Sequence, residues 1–440
     1  MYQSDQSRRD FVKATSLLTG GLLAAPLFGR SQGFQSGVAD TIKVVLVGCG
    51  GRGTGAAVQA LSTKQNVQLV AMADAFQDRL DSSVKSIQEA LDEKGQGDRF
   101  KVPAEARFVG FDGYQKAIPM ADVVILATPP GFRPIHFEEA IKQNKHVFME
   151  KPVAVDPAGV LKVLAVAEEA KKKKLNVVSG LQRHYQSSYR ALYKNKALLG
   201  DIIGGNVYWN NDGVWVKPRK EGQTEMEYQM RNWYYFNWLC GDHINEQHIH
   251  NIDVFNWFKG GYPVRAKGTG GREVRDGKDY GEIFDHHHVE FEYADGTILN
   301  SECRHIKGTW AKVDETILGT KGKMLAGAAK IVDYKGKPLY AFDKKTENQP
   351  YQAEHDELFA AIAKGEYKFW DAERTAKSTM TAILGRLATY SGQIIEWDKA
   401  LNSGMDIMPK EYSFQATPPV LPNKDGLYPV AVPGVTKYFA

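Results

Sequence analysis

Three short stretches of this 440-residue chain carry residue types at spacings that chemistry can use. The first is Gly48-x-Gly50-x-x-Gly53, reached directly from an apolar run that ends at Val47. In such a strand–loop–helix the first glycine makes a tight turn and the second lets the backbone approach a pyrophosphate. The third lets helix and strand pack closely, and the helix N-terminus faces the phosphates. The second stretch is Glu150-Lys151-Pro152, which follows the run His146 to Met149. A lysine at a strand's carboxyl end can reach both a nicotinamide ribose and a substrate hydroxyl. The third runs from Asp242 to Asp253, with histidines at 243, 248 and 250 and acids at 242 and 246. At helical spacing His243, Glu246, Gln247 and His250 share a face and His248 points away, as a core histidine would. HExxH is absent and too few of these residues face together for a closed tetrahedral zinc site, so no metal is expected.

The elements that must position these groups follow from periodicity. A second apolar strand, Val67 to Ala73, ends at Asp74, 21 residues after Gly53. An acid there accepts hydrogen bonds from adenosine ribose hydroxyls, which favours NAD over NADP, although Arg79 leaves room for a 2′-phosphate. A polar helical stretch separates Asp74 from Arg107. Ala121 to Ala127 then reads as a buried parallel strand ending at Thr128-Pro129-Pro130, which turns the chain over a cofactor at the sheet's carboxyl edge. Helix Pro134 to Gln143, strand His146 to Met149, helix Pro157 to Lys174 and strand Leu175 to Ser179 complete a Rossmann domain over residues 40–180. From Ile202 the pattern turns to strands: Gly204 to Asn210 alternates, Asp295-Gly296 follows His288 to Tyr293, and Thr316 to Met324 reads as a second hairpin. His286-His287-His288 opens one of these strands, so its members face alternately and one of them can line a site. Residues 181–400 are therefore expected to form an α/β substrate and oligomerisation domain with a large, mostly antiparallel open sheet. Within it Trp215 to Arg231 is a polar lid or specificity loop. Helices over Glu354 to Gly365 and Asp371 to Gly392 precede a Pro-rich tail, 401–440, laid over the surface or a neighbour.

Residues 1–39 stand apart. Ser7-Arg8-Arg9-Asp10-Phe11-Val12-Lys13 is a twin-arginine signature, followed by an apolar stretch, Ala14 to Phe28, too short for a permanent membrane anchor. The expectation is a signal peptide and periplasmic placement through the twin-arginine export machinery, which carries folded proteins. A dinucleotide exported with its protein has no free pool to exchange with, so it must stay bound and be recycled in place. The formal net charge of +4 is modest and half of it lies in this segment, which excludes a nucleic-acid or anionic-membrane surface on charge grounds. Three widely spaced cysteines, Cys49, Cys240 and Cys303, make no disulfide framework. Aromatic residues are densest at Trp233, Tyr234, Tyr235, Phe236 and Trp238, a cluster that suits either sugar rings or a core.

The glycine loop, Asp74, the Thr128-Pro129 edge and Glu150-Lys151-Pro152 together resemble the Gfo/Idh/MocA family of glucose–fructose oxidoreductase and inositol dehydrogenase, over roughly residues 41 to 400. The resemblance implies an NAD-dependent oxidoreductase acting on a sugar, cyclitol or glycoside hydroxyl, and a homo-oligomer assembled through the open sheet. It implies cofactor contacts from Gly48, Gly50, Gly51, Arg52, Gly53, Asp74, Thr128, Pro129, Glu150 and Lys151. Lys151 maps onto the family's lysine that orients and polarises the reacting hydroxyl. Gly180-Leu181-Gln182-Arg183-His184 is similar to the segment whose arginine lies near substrate. The family's Asp-x-x-x-His maps onto Glu246 and His250, with glutamate replacing aspartate and Leu239-Cys240-Gly241-Asp242 replacing a glycine run. His250 would then be the general acid/base and Glu246 its orienting partner; an imidazole with a pKa of about 6.5 can take a proton as hydride leaves the same carbon. Arg183, His184, Tyr185, Trp238 and His243 are the expected substrate contacts. A second outcome keeps the cofactor and changes the net reaction: some family members are glycoside hydrolases that oxidise, eliminate and re-reduce.

Overall fold

The computed structural model describes residues 41–438, so the expected signal peptide lies outside the described residues. Strands β1 (Ile42–Val47), β2 (Val67–Asp74), β3 (Arg107–Val109), β4 (Val123–Leu126), β5 (His146–Met149) and β6 (Val177–Ser179) form one sheet in the order β3-β2-β1-β4-β5-β6. Every neighbouring pair is parallel. β1, β4 and β5 are apolar and buried nearly throughout, as strands covered by helices on both faces must be. The helix after β1, Gly51–Leu61, buries Gly53, Ala56, Ala57, Ala60 and Leu61, a stripe of mostly small residues that lets it lie close to the sheet. Strand order reverses between β1 and β4, and this opens a crevice at their carboxyl ends. The domain is thus the Rossmann unit that the sequence implies.

A second sheet holds β7 (Ile202–Asn211), β8 (Arg265–Gly271), β9 (His286–Glu292), β10 (Ile298–His305), β11 (Lys312–Gly319), β12 (Lys323–Leu325), β13 (Lys330–Val332), β14 (Pro338–Ala341) and β15 (Ile395–Glu396). Its order is β14-β13-β12-β11-β7-β10-β9-β8-β15. It is antiparallel except where β7 runs parallel to β10. Parallel neighbours cannot be joined by a hairpin. β8, separated from β7 by β10 and β9, also runs in the direction of β7, so the chain leaves the sheet between them. This crossover, a long excursion over residues 212–264, carries the histidine-rich segment and the Trp215–Arg231 insertion to the Rossmann crevice. The insertion ends in a short helix, Glu225–Arg231, capped by Thr224.

Helix Ala372–Ser391 is buried on nearly all sides, and its serines and threonines return hydrogen bonds to their own backbone, as at Thr389 to Gly385 and Ser391 to Leu387. One apolar core runs through both sheets. A second, aromatic core gathers Phe132, Tyr228, Tyr234, Tyr235, Phe236, Trp238 and Tyr428. Residues 402–438 contain neither helix nor strand. They lie on the chain's own surface: the Ile407 N–H donates to Asp156 at 2.9 Å, and Phe414 packs on Phe76 and Phe111 with ring centres 5.1 and 5.0 Å apart.

Candidate active-site cleft

The crevice is a cleft of about 670 Å³, a size typical of small-molecule sites, walled on one side by the Rossmann loops and on the other by the crossover from β7 to β8. At its floor, Gly48 has φ +98°, and a Cβ there would lie 2.5 Å from the backbone of Ala127, so only glycine turns the chain beneath the end of β4. A Cβ on Gly53 would lie 1.9 Å from the Gly48 carbonyl oxygen; this glycine serves packing and does not line the cleft. Gly50 and Gly51 face open space. The helix that begins at Gly51 has no side-chain cap, so its first N–H groups are left for an anion. These features fit a dinucleotide's pyrophosphate.

Asp74 ends β2 at the rim. Its carboxylate accepts from the N–H groups of Cys49 (2.7 Å) and Phe76 (2.9 Å), which aims it into the cleft with lone pairs left for ribose hydroxyls. Burial nevertheless raises its pKa above the ordinary carboxylate value. Arg79, Thr128 and Pro129 line the same half. Arg52 and Glu150 do so as a pair: Arg52 Nε donates to Glu150 at 2.5 Å, and Nη2 reaches the fully buried Glu354 at 3.3 Å. Burial, reinforced by Glu150, raises the Glu354 pKa well above normal. A Cβ on Gly180 would lie 2.5 Å from the Glu150 carboxylate, so a larger residue here would have to displace that side chain.

Lys151, Glu246 and His250 all line the other half. Lys151 Nζ donates to the Glu246 carbonyl oxygen at 2.6 Å and to its carboxylate at 3.2 Å. The structure therefore corrects the expected pairing, since Glu246 holds Lys151 rather than orienting His250. The helix breaks between Glu246 and Ile249, which turns Glu246 out of line with His250. His250 stacks on Trp209 of β7, with ring centres 5.9 Å apart, and its Nδ1 is buried without a partner. Burial, then the charges of Lys151 and Arg183, hold its pKa well below 6.5, so it stands ready as a neutral acceptor.

None of the five expected substrate contacts lines the cleft. Arg183 is paired with buried Glu315 and Tyr185 with Asp371. His184 Nε2 bonds Asp253 at 2.6 Å. Trp238 is core, its indole N–H on Gln229 at 2.7 Å. His243 is fully buried with Nδ1 on Asp242 at 2.7 Å. Of the aromatic run, Trp233 alone reaches the cleft; Tyr234, Tyr235 and Phe236 are core. His248 is buried against Ser301, and His287 is buried with Nδ1 on Thr389, so the histidine triplet contributes nothing to the cleft.

Among the described residues, one group of side chains, Asp242, His243 and His287, brings metal-ligand atoms within 4.8 Å of one another. Both Asp242 oxygens are already engaged, by His243, the Tyr390 hydroxyl at 2.5 Å and the Phe284 N–H at 3.0 Å. The group is a hydrogen-bonded tie between the excursion and the helix Ala372–Ser391.

Trp215, Lys217 and Arg231, of the insertion expected as a lid or specificity loop, line the cleft together with Gln247, whereas Trp209, Phe76 and Tyr351 line it without any signal in the sequence analysis. Trp215 stands edge-on to Trp233 at 5.9 Å with Lys217 over its ring, forming an aromatic wall on the excursion side. Arg231 lies 3.6 Å over Phe76 and grips Asp78 with two 2.8 Å hydrogen bonds, joining the excursion to the rim near Asp74. Alternation identifies β7, where Trp209 sits, but the landing places of the insertion have no local signature.

A cleft with a glycine-loop floor, an acid at the end of β2 and a lysine at the end of β5 defines a dinucleotide-binding α/β protein. Residues 42–178 match the family described as "Oxidoreductase family, NAD-binding Rossmann fold". The match is confined to this domain, whose cofactor is NAD. It is 24% identical to the inositol 2-dehydrogenase of Rhizobium meliloti over 339 residues, 74% of this chain and 90% of that one. It is 25% identical over 226 residues to a glycosyl hydrolase family 109 protein of Solibacter usitatus, 50% of this chain and 49% of that one. Other curated relatives are likewise matched over about half their length or less. The scyllo-inositol dehydrogenase of Lactobacillus casei, solved with NAD(H) and scyllo-inositol, superposes with a TM-score of 0.59 at 18% identity, covering 82% of this chain and all of that one.

Proposed function

We propose that this protein oxidises a secondary hydroxyl of a sugar, cyclitol or glycoside at a tightly held NAD, and that it does so after export to the periplasm. The observation that carries the chemistry is the convergence of Lys151, Glu246 and His250 on the cleft whose other half is the glycine loop and Asp74. NAD bound there supplies a hydride acceptor. The chain's residues do the rest. The Gly51–Leu61 helix N-terminus and Gly50 hold the phosphates, and Asp74 holds the adenosine ribose. Lys151, fixed by Glu246, points its ammonium at the substrate oxygen and steadies the charge that grows there as the proton departs. His250, kept neutral by its surroundings, accepts that proton. The aromatic wall of Trp209, Trp215 and Trp233 suits the flat C–H faces of a pyranose or cyclitol ring. The inositol-dehydrogenase relatives support the substrate class.

The test begins with cofactor extraction from dialysed protein, then addition of scyllo-inositol, myo-inositol, D-glucose and methyl glucosides while absorbance at 340 nm is followed. Stoichiometric reduction of retained NAD is expected. His250→Ala should cut that rate about 10²- to 10⁴-fold with NAD content intact, and an unchanged rate would remove His250 from the mechanism. The relative named as a glycosyl hydrolase favours a second reading, in which NAD is reduced only transiently. Release of aglycone from a glycoside without accumulating 340 nm absorbance would select it.

A further inference from the structure

One polar side chain in the cleft is unused by the reading above. Gln247 lies between Glu246 and the helix that carries His250, half-buried, with its side chain on the cleft wall. Its Oε1 is 2.8 Å from Nε2 of His305, the last residue of β10. The other ring nitrogen of His305, Nδ1, is 2.8 Å from Nη2 of Arg275. A guanidinium nitrogen can only donate. Nδ1 of His305 must then accept, and the ring's single proton must sit on Nε2, where it is donated to Gln247. An amide turned the other way would set its NH₂ against the Nε2–H, donor against donor. The polarity of the whole chain of contacts is therefore dictated from its far end by Arg275.

The consequence lies at the near end. With Oε1 occupied, the Gln247 amide nitrogen keeps both protons for the cleft, and no described residue accepts from it. The ring that sets this is rigidly held. His305 is 4% exposed, stacks on His243 at 4.3 Å and on Tyr234 at 6.2 Å, and its backbone N–H donates to the Asp285 carbonyl oxygen at 2.8 Å. Arg275 is itself 3% exposed, anchored on the Phe284 carbonyl and lying over the Tyr235 ring.

We propose that Arg275 and His305 lock Gln247 as a donor-only contact, creating a subsite in the cleft that takes an acceptor oxygen of the substrate. This subsite rests on the carbohydrate reading and sharpens it: Lys151 meets the reacting oxygen, while Gln247 selects a second oxygen by its lone pair. Arg275 and His305 are positioning residues; they reach the substrate only through the amide.

The experiment uses NAD-loaded, full-length protein and two probes, scyllo-inositol and methyl β-D-glucoside, with binding followed by quenching of the cleft tryptophans so that turnover is not needed. Gln247→Glu keeps the size and still accepts from His305, but its carboxylate cannot donate; it should weaken probe binding about tenfold or more with NAD content unchanged. Gln247→Met should weaken it to a similar extent without introducing a charge. Arg275→Met frees the amide to turn and should weaken binding less. ¹⁵N chemical shifts of the wild-type histidines should place the His305 proton on Nε2 from pH 6 to 8. Equal affinity in wild type and both Gln247 variants, or a His305 proton on Nδ1, overturns the subsite and leaves the dehydrogenase reading standing. A wild-type cleft that binds neither probe overturns the carbohydrate reading and the subsite together.

Discussion

His250 is a base whose protonated form its surroundings resist. Burial acts first, and the positive charges of Lys151 and Arg183 act with it. A depressed histidine pKa leaves the neutral, proton-accepting form populated well below pH 6.5. The expected pH–rate profile for NAD reduction by the best polyol is accordingly flat from pH 8 to pH 6. An inflection near 6.5 that disappears in His250→Ala would falsify this account of the base. The places of Lys151 and His250 on the cleft follow from local frames that the sequence shows, a strand end and a helix. Arg183, His184 and Tyr185 were misread for the opposite reason. Their side chains are consumed by Glu315, Asp253 and Asp371, partners 132, 69 and 186 residues away, and no local pattern announces such pairings. The same holds for Gln247, whose significance depends on β10 and on Arg275.

At the scale of elements, the crossover from β7 to β8 explains why a mostly antiparallel sheet serves a Rossmann crevice. That crossover brings Arg231 onto Phe76 and Asp78, while the tail brings Phe414 against Phe76 as well. Phe76 lines the cleft two residues beyond Asp74, so both contacts brace the rim at the end that suits the adenosine. Retention of NAD should then depend on side chains that never touch its phosphates. Arg231→Ala and Phe414→Ala are expected to speed NAD release by about tenfold each, equivalent to about 1.4 kcal/mol. Stopped-flow measurement of NAD displacement decides it, and release rates equal to wild type in both rim variants would detach the tail from the cofactor. Strands, loop and helices of the Rossmann half could be read from periodicity and punctuation. The bracing could not, because an extended aromatic tail carries no periodicity and its partner ring lies more than 330 residues earlier.

For the whole molecule, the unusual feature is how many histidines are folded into places that refuse a proton. Burial lowers His136 and His248 to about 3, and His146 and His243 to about 4. The geometry agrees for His146, whose Nδ1 accepts the Asn176 N–H at 2.9 Å and would lose that bond on protonation. In the unfolded chain each would titrate near 6.5. Between pH 6.5 and about 4 the unfolded state therefore binds more protons than the folded one, and stability falls as pH falls through that window, by up to about 1.4 kcal/mol per pH unit for each such histidine. Asp242 works in a different range: its pKa is depressed by His287 and His243 against the cost of burial, so the stability it contributes is present above the ordinary carboxylate value and is lost only below it. The window above pH 4 thus separates the histidines from Asp242, while buried carboxyls of raised pKa, Asp74 and Glu354 among them, take up protons there in the folded state and offset part of the loss. Urea unfolding at saturating NAD, followed at pH 7.5, 6 and 5, should show a loss of stability between pH 6 and 5 to which each of these histidines contributes. His146→Gln, whose side-chain amide can still accept from Asn176 but does not titrate, should make that loss shallower by the share of one proton. A pH dependence that His146→Gln leaves unchanged would mean that this ring finds a way to charge inside the fold, and the argument from burial that keeps His250 neutral would lose its support with it.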